Sequence, residues 1–184
     1  MERDGLSTVL EWIHSHHFGK YRGQVTDNAD PNGRGRLKVR VPAVLADVEI
    51  WAVPCVPYAG DQVGFFFLPE PGSGVWVEFE GGDPSYPIWT GFFWADGQMP
   101  DDGKPEHKVL RTLKATLRVD DQNDELKLTN ASGAKLELAT DALLDHSGAS
   151  LTLGQGGVVA EHAGAKLEVA NAAVSANSGA LEVR

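Results

Sequence analysis

The C-terminal half of the chain repeats one pattern of apolar and polar residues. GAKLELA at 133–139 returns as GASLTLG at 148–154, GAKLEVA at 164–170 and GALEVR at 179–184, and the leading glycines are 15, 16 and 15 residues apart. Each phrase carries apolar residues at x-Leu-x-Leu spacing, which places them on one face of a β-strand. Weaker apolar positions lie between the phrases, so the repeating unit is about eight residues, one short strand and one corner.

These units follow one another from residue 117, and Gly, Asn, Asp or Ser stands between them, where these residues tolerate corner conformations. We predict that the main apolar pairs form the core of a needle. The predicted needle-core residues are Leu117, Val119, Leu126, Leu128, Leu136, Leu138, Leu151, Leu153, Leu167, Val169, Leu181 and Val183.

Eight residues supply only one side of a β-helix, because a three-sided coil of one chain needs roughly 20 residues for its strands and corners. One chain with a single thin apolar row would have a poor core. Three chains wound together solve this, since each supplies one side at every level and the apolar rows meet on a shared axis. We therefore expect an intertwined trimeric β-helix. Its nine units per chain, at about 4.8 Å per strand, would make it on the order of 43 Å long. A two-sided solenoid of one chain and a flexible low-complexity tail stay open as alternatives.

The N-terminal half opens with a predicted helix and continues with strands. The helical stripe has i, i+3, i+4, i+7 spacing and consists of Leu6, Val9, Leu10 and Ile13. The strand candidates are YRGQVT, RLKVRVP, EIWAVPCVP, QVGFFFLP, GVWVEFEGG and YPIWTGFFW. In RLKVRVP, Leu37, Val39 and Val41 share one face. Five or six strands in about 80 residues predict a small closed barrel or a sandwich.

Composition separates the two halves. All 15 aromatic residues lie between Trp12 and Trp94, and the 79 residues after Pro105 contain neither an aromatic residue nor a proline. The stretch ADGQMPDDGKPE has nothing to bury and is typical of a linker. The predicted divisions are a short helix at 1–16, a barrel at 17–95, a linker at 96–106 and a β-helical needle at 107–184.

Charge and targeting signals narrow the function classes. A net charge of −10 argues against general binding to nucleic acid or anionic membranes. The single cysteine, Cys55, lies in an apolar run and is predicted to be a buried small residue. No apolar run reaches the roughly 20 residues of a membrane span. The N-terminal MERDGLSTVLEW lacks a secretory signal pattern, so we expect synthesis in the cytoplasm without a signal peptide.

The barrel half carries three motifs in a telling order. HFGKYRGQVTDNADPNGRGRLKVRVP, WAVPCVPYAG and GSGVWVEFEGGDPSYPIWTGFFW resemble the OB-fold domain of phage baseplate assembly protein V, which is similar to VgrG and to the spikes of contractile injection systems. The resemblance covers about residues 17–100. It implies an all-β chain: an OB-fold barrel with a short leading helix, then a triple-stranded β-helix, assembled as a homotrimer.

The resemblance also implies partners. Larger spike proteins carry an N-terminal hub domain, and the 16 residues before the barrel are too few for one. Attachment is therefore expected to use separate hub and baseplate proteins. Some phage spikes end in a metal-binding His-x-His point, whereas GALEVR stops in mid-repeat, which implies a separate PAAR-type tip protein.

The resemblance implies a structural spike, a membrane-puncturing needle at the baseplate centre of a contractile tail or injection system. The particle would be a virion or an injection device, cytoplasmic or released, and the target-cell envelope would be met on firing. The alternative is a trimeric β-helical adsorption module that binds glycans. Such a module should display aromatic residues on its shaft for sugar stacking, and this shaft has none.

Three further patterns carry candidate chemistry. His14, His16 and His17 could bind a metal, although histidine at a helix end is ordinarily favoured by the helix dipole. No cofactor is expected. The carboxylates mark no catalytic pair, so no enzyme is expected, and acidic residues of the repeats are predicted to keep the needle's outer face soluble. These are Glu125, Glu137, Glu161, Glu168 and Glu182.

The basic strand could be a phosphate track on an OB fold, and its members are Arg34, Arg36, Lys38 and Arg40. The outward face of a barrel, or a salt-bridged face against an acidic neighbour, is the plainer interpretation, since residues 1–105 carry 15 acidic and 8 basic groups, a net −7. We therefore expect no nucleic-acid partner.

Overall fold

The computed structural model describes residues 2–178 and 180–183. Its internal contacts divide the chain into two units, Met1–Gln98 and Met99–Arg184. The first unit holds the helix and a closed barrel, and the second holds one long antiparallel sheet.

The first unit is built around a five-stranded closed barrel with strand order β1-β2-β3-β7-β6. All neighbouring strands are antiparallel except β3 and β7, whose short parallel pairing closes the barrel. The elements of this unit are α1 (Glu2–Ser15), β1 (Tyr21–Asp27), β2 (Leu37–Arg40), α2 (Pro42–Leu45), β3 (Glu49–Pro54), β4 (Ala59–Gly60), β5 (Val63–Gly64), β6 (Gly74–Phe79), a 3₁₀ turn (Glu80–Gly82) and β7 (Pro87–Phe93).

The barrel interior is filled by the inward-facing residues of these alternating strands. Leu37, Val39 and Val41 are fully buried, as their shared face predicts. The remaining core residues come from the other four barrel strands: Val25, Ala52, Val75, Val77, Phe79 and Trp89. Closure decides between the two predicted architectures in favour of the barrel.

Two predictions for this unit are wrong. QVGFFFLP is not a barrel strand: only Val63–Gly64 is extended, paired with Ala59–Gly60 in a separate hairpin, and the phenylalanines that follow are exposed. A run of three large apolar residues has no alternation, so it cannot place one face in a barrel core and the other in water. Cys55 is exposed, not buried.

The second unit is one ten-stranded sheet in which every strand pairs antiparallel with its neighbours in sequence. Each of the nine predicted units is a strand, and one further strand, β8, precedes them. The strands are β8 (His107–Arg111), β9 (Ala115–Asp120), β10 (Glu125–Asn130), β11 (Lys135–Leu138), β12 (Ala142–His146), β13 (Ala149–Gly154), β14 (Gly157–His162), β15 (Ala165–Ala170), β16 (Ala173–Ala176) and β17 (Leu181–Val183).

Every corner between these strands therefore returns the chain to the same sheet. This arrangement differs from the two-sided solenoid and from the flexible tail left open by the repeat. The predicted all-β class, with a leading helix, an OB-like barrel and a second β region, is confirmed. Winding together with two further chains stays a prediction.

Two adjacent glycines give a matched test of the sheet. Gly157 has a φ of +128°, and a Cβ there would collide with the carbonyl oxygen of Val169 on β15, whereas a Cβ at Gly156 would meet open space. We expect Gly157→Ala to cost more than about 1 kcal/mol of stability and Gly156→Ala to be neutral or slightly stabilising. Thermal unfolding and amide exchange along β14 and β15 measure both. Equal protection in the two variants would contradict the described pairing.

Candidate functional site

The most prominent surface of the second unit is a continuous apolar face two residues wide. Cross-strand register joins the apolar positions of all ten strands into two rows, because directly paired residues lie on the same face of a sheet. The first row is Leu110, Leu117, Leu128, Leu136, Leu144, Leu151, Ala160, Leu167, Ala176 and Leu181. The second row is Lys108, Val119, Leu126, Leu138, Ala142, Leu153, Val158, Val169 and Val174.

The structure thus brings the predicted needle-core residues onto one face. Val183 pairs with Val174 in the backbone register, but its side chain lies outside the described part of the chain. Sequence reasoning missed Leu110 on β8 because HKVLR carries none of the repeated phrase. The sequence pattern did not decide which of Leu143 and Leu144 lies on the apolar face. The register assigns Leu144 to the apolar face and Leu143 to the opposite one.

This face is uncovered in the single chain. Eleven of its Leu and Val side chains are 37–66% exposed. Soluble monomers ordinarily expose contiguous apolar patches of no more than a few hundred Å². A face to which this many half-exposed Leu and Val side chains contribute is larger than that, and larger patches mark interaction sites. Its chemistry is that of an assembly interface, with Lys108 as the charged member at one end.

The opposite face of the sheet is mostly polar and carries ion pairs, and by register Val109, Leu143 and Val159 are apolar members of it. Lys127 on β10 lies across from Glu137 on β11, with Nζ 3.0 Å from Oε2. Lys127 lowers the pKa of the Glu137 carboxyl through a hydrogen bond to it. A second pair on this face joins Lys166 and Glu168 at 2.7 Å.

By register, Glu125 and Glu161 also lie on the polar face, as the sequence predicts for the acidic residues, and the side chain of Glu182 is not among those described. Of the two faces, the aliphatic one is the face that must be buried.

Two of the three candidate metal ligands make other contacts, and the third, His14, is exposed on α1. His16 stacks on Trp12 with ring centroids 4.4 Å apart, and its Nδ1 lies 2.8 Å from the carbonyl oxygen of Trp12. His17 packs against Tyr21 and Phe79. Among the residues described, the group with metal-ligand spacing is a different one, Asp101, Asp102 and His107.

That second group is an ionic cluster around a buried imidazole. The His107 side chain is 7% exposed, and its Nδ1 lies 2.8 Å from Asp102 Oδ1 and 2.9 Å from Asp101 Oδ2. On its other side, Arg118 Nη2 lies 2.7 Å from His107 Nε2. A guanidinium this close would repel a bound cation. The cluster is therefore better suited to holding residues 101–107 against β9 than to binding a metal ion.

The basic strand is engaged within the barrel. Arg36 pairs with Asp30 at 2.7 Å and lies over the Trp51 ring, with 5.3 Å from Cζ to the ring centroid. Lys38 lies 3.3 Å from Glu49 Oε2. Two of the four cations are thus neutralised by carboxylates of the same unit and make poor phosphate contacts, while Arg40 donates to Gln24 Oε1 at 3.0 Å.

The barrel residues match a known family of domains. Residues 21–94 match the family described as the type VI secretion system/phage-baseplate injector OB domain. The matched residues run from the first residue of β1 to just beyond the end of β7, which are the bounds of the closed barrel.

Curated relatives agree with this match. The actin cross-linking toxin VgrG1 of Vibrio cholerae is 34% identical over 83 residues, which cover 45% of this chain and 8% of the relative. The spike protein VgrG2a of Pseudomonas aeruginosa is 27% identical over 104 residues, covering 56% of this chain and 12% of the relative. VgrG3 of V. cholerae, also a type VI spike protein, is 28% identical over 122 residues, covering 61% and 12%.

The predicted resemblance to VgrG-like baseplate and spike proteins is therefore confirmed. The chain spans only about a tenth of the length of these relatives, 8–12%. Within the described residues, no helix has both the length and the apolar character to cross a bilayer.

The Asp30–Arg36 pair predicts a pH dependence of barrel stability. Asp30 accepts from the backbone N–H groups of Asn32 and Arg34 at 3.0 and 2.8 Å, and the hydrogen bond from Arg36 lowers the pKa of its carboxyl far below the usual value. A lowered pKa stabilises the fold above the unfolded-state value of about 3.9, and this stabilisation is lost as pH falls through the folded-state value.

We expect Asp30→Asn to lower the barrel's melting temperature by several degrees at pH 7, with a smaller loss at pH 2–3. The melting temperature of the variant then changes less between pH 7 and pH 2–3 than that of the unchanged chain. Tryptophan fluorescence reports the melting of the barrel unit, because all five tryptophans precede residue 95. Exposed Asp47→Asn is the control and should keep the original acid dependence. Identical curves for both variants would contradict the role given to Asp30.

Proposed function

We propose that this chain is the spike of a contractile phage tail or contractile injection system, acting as a homotrimer in which three apolar sheet faces close on one axis. The observation that carries the proposal is the exposed two-row apolar face of the second sheet. The match of the barrel to injector OB domains supports the same role, and so does its similarity to two relatives that are named spike proteins.

The width of the face favours three sheets. Each strand offers two apolar positions, so a sheet in a triangular prism can turn one row toward each of its two neighbours. In six of the described strand pairs a leucine of this face lies opposite an alanine, which keeps the strip narrow, as a slender prism requires. The normal twist of β-sheets would wind the three faces around one another.

The hydrogen bonding suits a mechanical part. Strands of the sheet pair only with their sequence neighbours, so the backbone hydrogen bonds run along the stack. Ten strands at about 4.8 Å give a shaft on the order of 43 Å between the first and the last. Axial load would be carried by these bonds, and lateral cohesion by the buried aliphatic rows.

The assembly we propose divides the work between the two halves. The helix at 1–16 and the barrel at 17–95 dock on separate hub and baseplate proteins, 96–106 link them to the shaft, and the needle at 107–184 carries a PAAR-type tip. On firing, sheath contraction drives the needle into the target-cell envelope. The chain works in an assembled virion or injection particle, without cofactor, catalysis or nucleic acid.

The adsorption module remains the competing function. Sugar binding on a β-shaft relies on stacking against exposed aromatic rings. Residues 106–184 contain no Phe, Trp or Tyr, and the polar face carries ion pairs instead. The composition of this face therefore favours the spike over the glycan-binding module.

We expect Leu151→Asp and Leu167→Asp to convert a trimer of 19.8 kDa chains into monomers. Each change places three carboxylates on a dry axis, at a cost of several kcal/mol per charge. Thr129→Asp, on the opposite face between Thr116 and Lys135, is the control and should remain trimeric. Light scattering measures the mass of each variant.

A chain truncated after Glu106 should likewise lose the trimer. A full-length chain that is monomeric would overturn the assembly, and a trimer that survives both Leu→Asp changes would overturn the inward assignment of the apolar rows.

A further inference from the structure

The barrel unit carries an exposed apolar surface of its own. It is formed by the β4–β5 hairpin and the residues after it, and we call it the aromatic groove. Its most exposed side chains are 53–75% accessible: Tyr58, Val63, Phe65, Phe66 and Phe67. They border a cavity of about 490 Å³, whose floor includes Gly35, Val56 and Trp89.

The groove is preformed by local contacts. Phe65 donates its backbone N–H to the Tyr58 carbonyl at 2.9 Å, which holds the hairpin closed. The rings of Tyr58 and Phe65 meet edge to face at 6.5 Å between centroids, and Phe67 lies 6.3 Å from Phe65. Aromatic side chains held in place but left uncovered offer a ready binding site at little ordering cost.

Helix α1 is a second uncovered apolar surface in the same unit. Its large side chains are 45–65% exposed: Leu6, Val9, Leu10, Trp12 and Ile13. Four of them have the i, i+3, i+4, i+7 spacing with which an amphipathic helix lies in an apolar groove. The stripe spans about 10 Å along the helix.

We propose that helix α1 of one copy lies in the aromatic groove of a second copy of this chain. The inference rests on the proposed homotrimer. Each copy then gives its helix to one neighbour and its groove to the other. A head-to-tail contact of this kind closes into a ring and leaves neither surface exposed.

The available area is sufficient for such a contact. The exposed parts of the four groove aromatics amount to on the order of 400 Å², and the helix stripe adds on the order of 300 Å². At the roughly 57% apolar share of ordinary interfaces, this corresponds to about 1,200 Å², the lower limit for a specific contact. Such a contact would be weak alone and would reinforce a trimer held mainly by the needle.

The charges of the two surfaces are complementary. Among the described residues that line the groove, Arg34 is the charged one. Among the side chains of helix α1 that the structure describes, Glu11 is the one with a formal charge at neutral pH. The groove therefore offers a cation to a helix whose described charge is a carboxylate.

Photo-crosslinking of the full chain tests the contact. Phe66 is replaced by p-benzoylphenylalanine, and light copies are assembled with copies labelled with heavy isotopes, so that crosslinks between copies are identified by mass spectrometry. We expect crosslinks from position 66 to peptides of residues 2–15 of another copy. The same replacement at Tyr86, also exposed on this unit, is the matched control and should give none. Ile13→Asp should reduce the crosslink yield from position 66 several-fold.

Light scattering on the same samples separates the two proposals. A trimer whose position 66 crosslinks to other segments, or to none, overturns the helix–groove contact and leaves the spike assembly standing. A trimer in which position 66 reaches residues 2–15 of its own copy overturns it equally. A monomer overturns the homotrimer, and the contact between copies with it.

Discussion

The second half of this chain is governed by one constraint: within the described residues, no element of the second unit packs on the aliphatic face of its sheet. Antiparallel sheets are commonly solvated on one side, but the other side must be buried. In the proposed trimer, two further copies of the same face supply the cover. The repeat, the narrow rows and the ion pairs of the opposite face are what such an assembly requires.

The two units solve the burial problem in opposite ways. The barrel closes on itself, since β3 and β7 meet in a short parallel pairing, and its inward residues need no partner. The second sheet leaves its aliphatic face exposed, and in the proposed trimer that face is buried by association. Large aromatic side chains accordingly lie in the first unit, where a compact core or a local contact can use them. The thin shaft uses Leu, Val and Ala, which pack in rows.

Period-two alternation was sufficient to predict the barrel strands, the nine repeated strands and the residues that share the apolar face. It failed where the pattern was absent or ambiguous. QVGFFFLP has no alternation, and its apolar residues face solvent in a hairpin instead of a core. β8 lacks the repeated phrase. The cluster around His107 was invisible because Asp101, His107 and Arg118 meet only through folding, without a spacing that marks them in sequence.

Pairing between sequence neighbours separates two kinds of cohesion in the shaft. Within a chain, each strand is secured to the next by backbone hydrogen bonds that do not depend on a partner. Between the chains of the proposed trimer, cohesion would depend on aliphatic burial, which is non-directional and proportional to the area covered. Lengthening such a shaft requires only further copies of an eight-residue unit, because each added strand extends the backbone ladder and both apolar rows at once. A repeated phrase is therefore what a stiff element of adjustable length demands from its sequence.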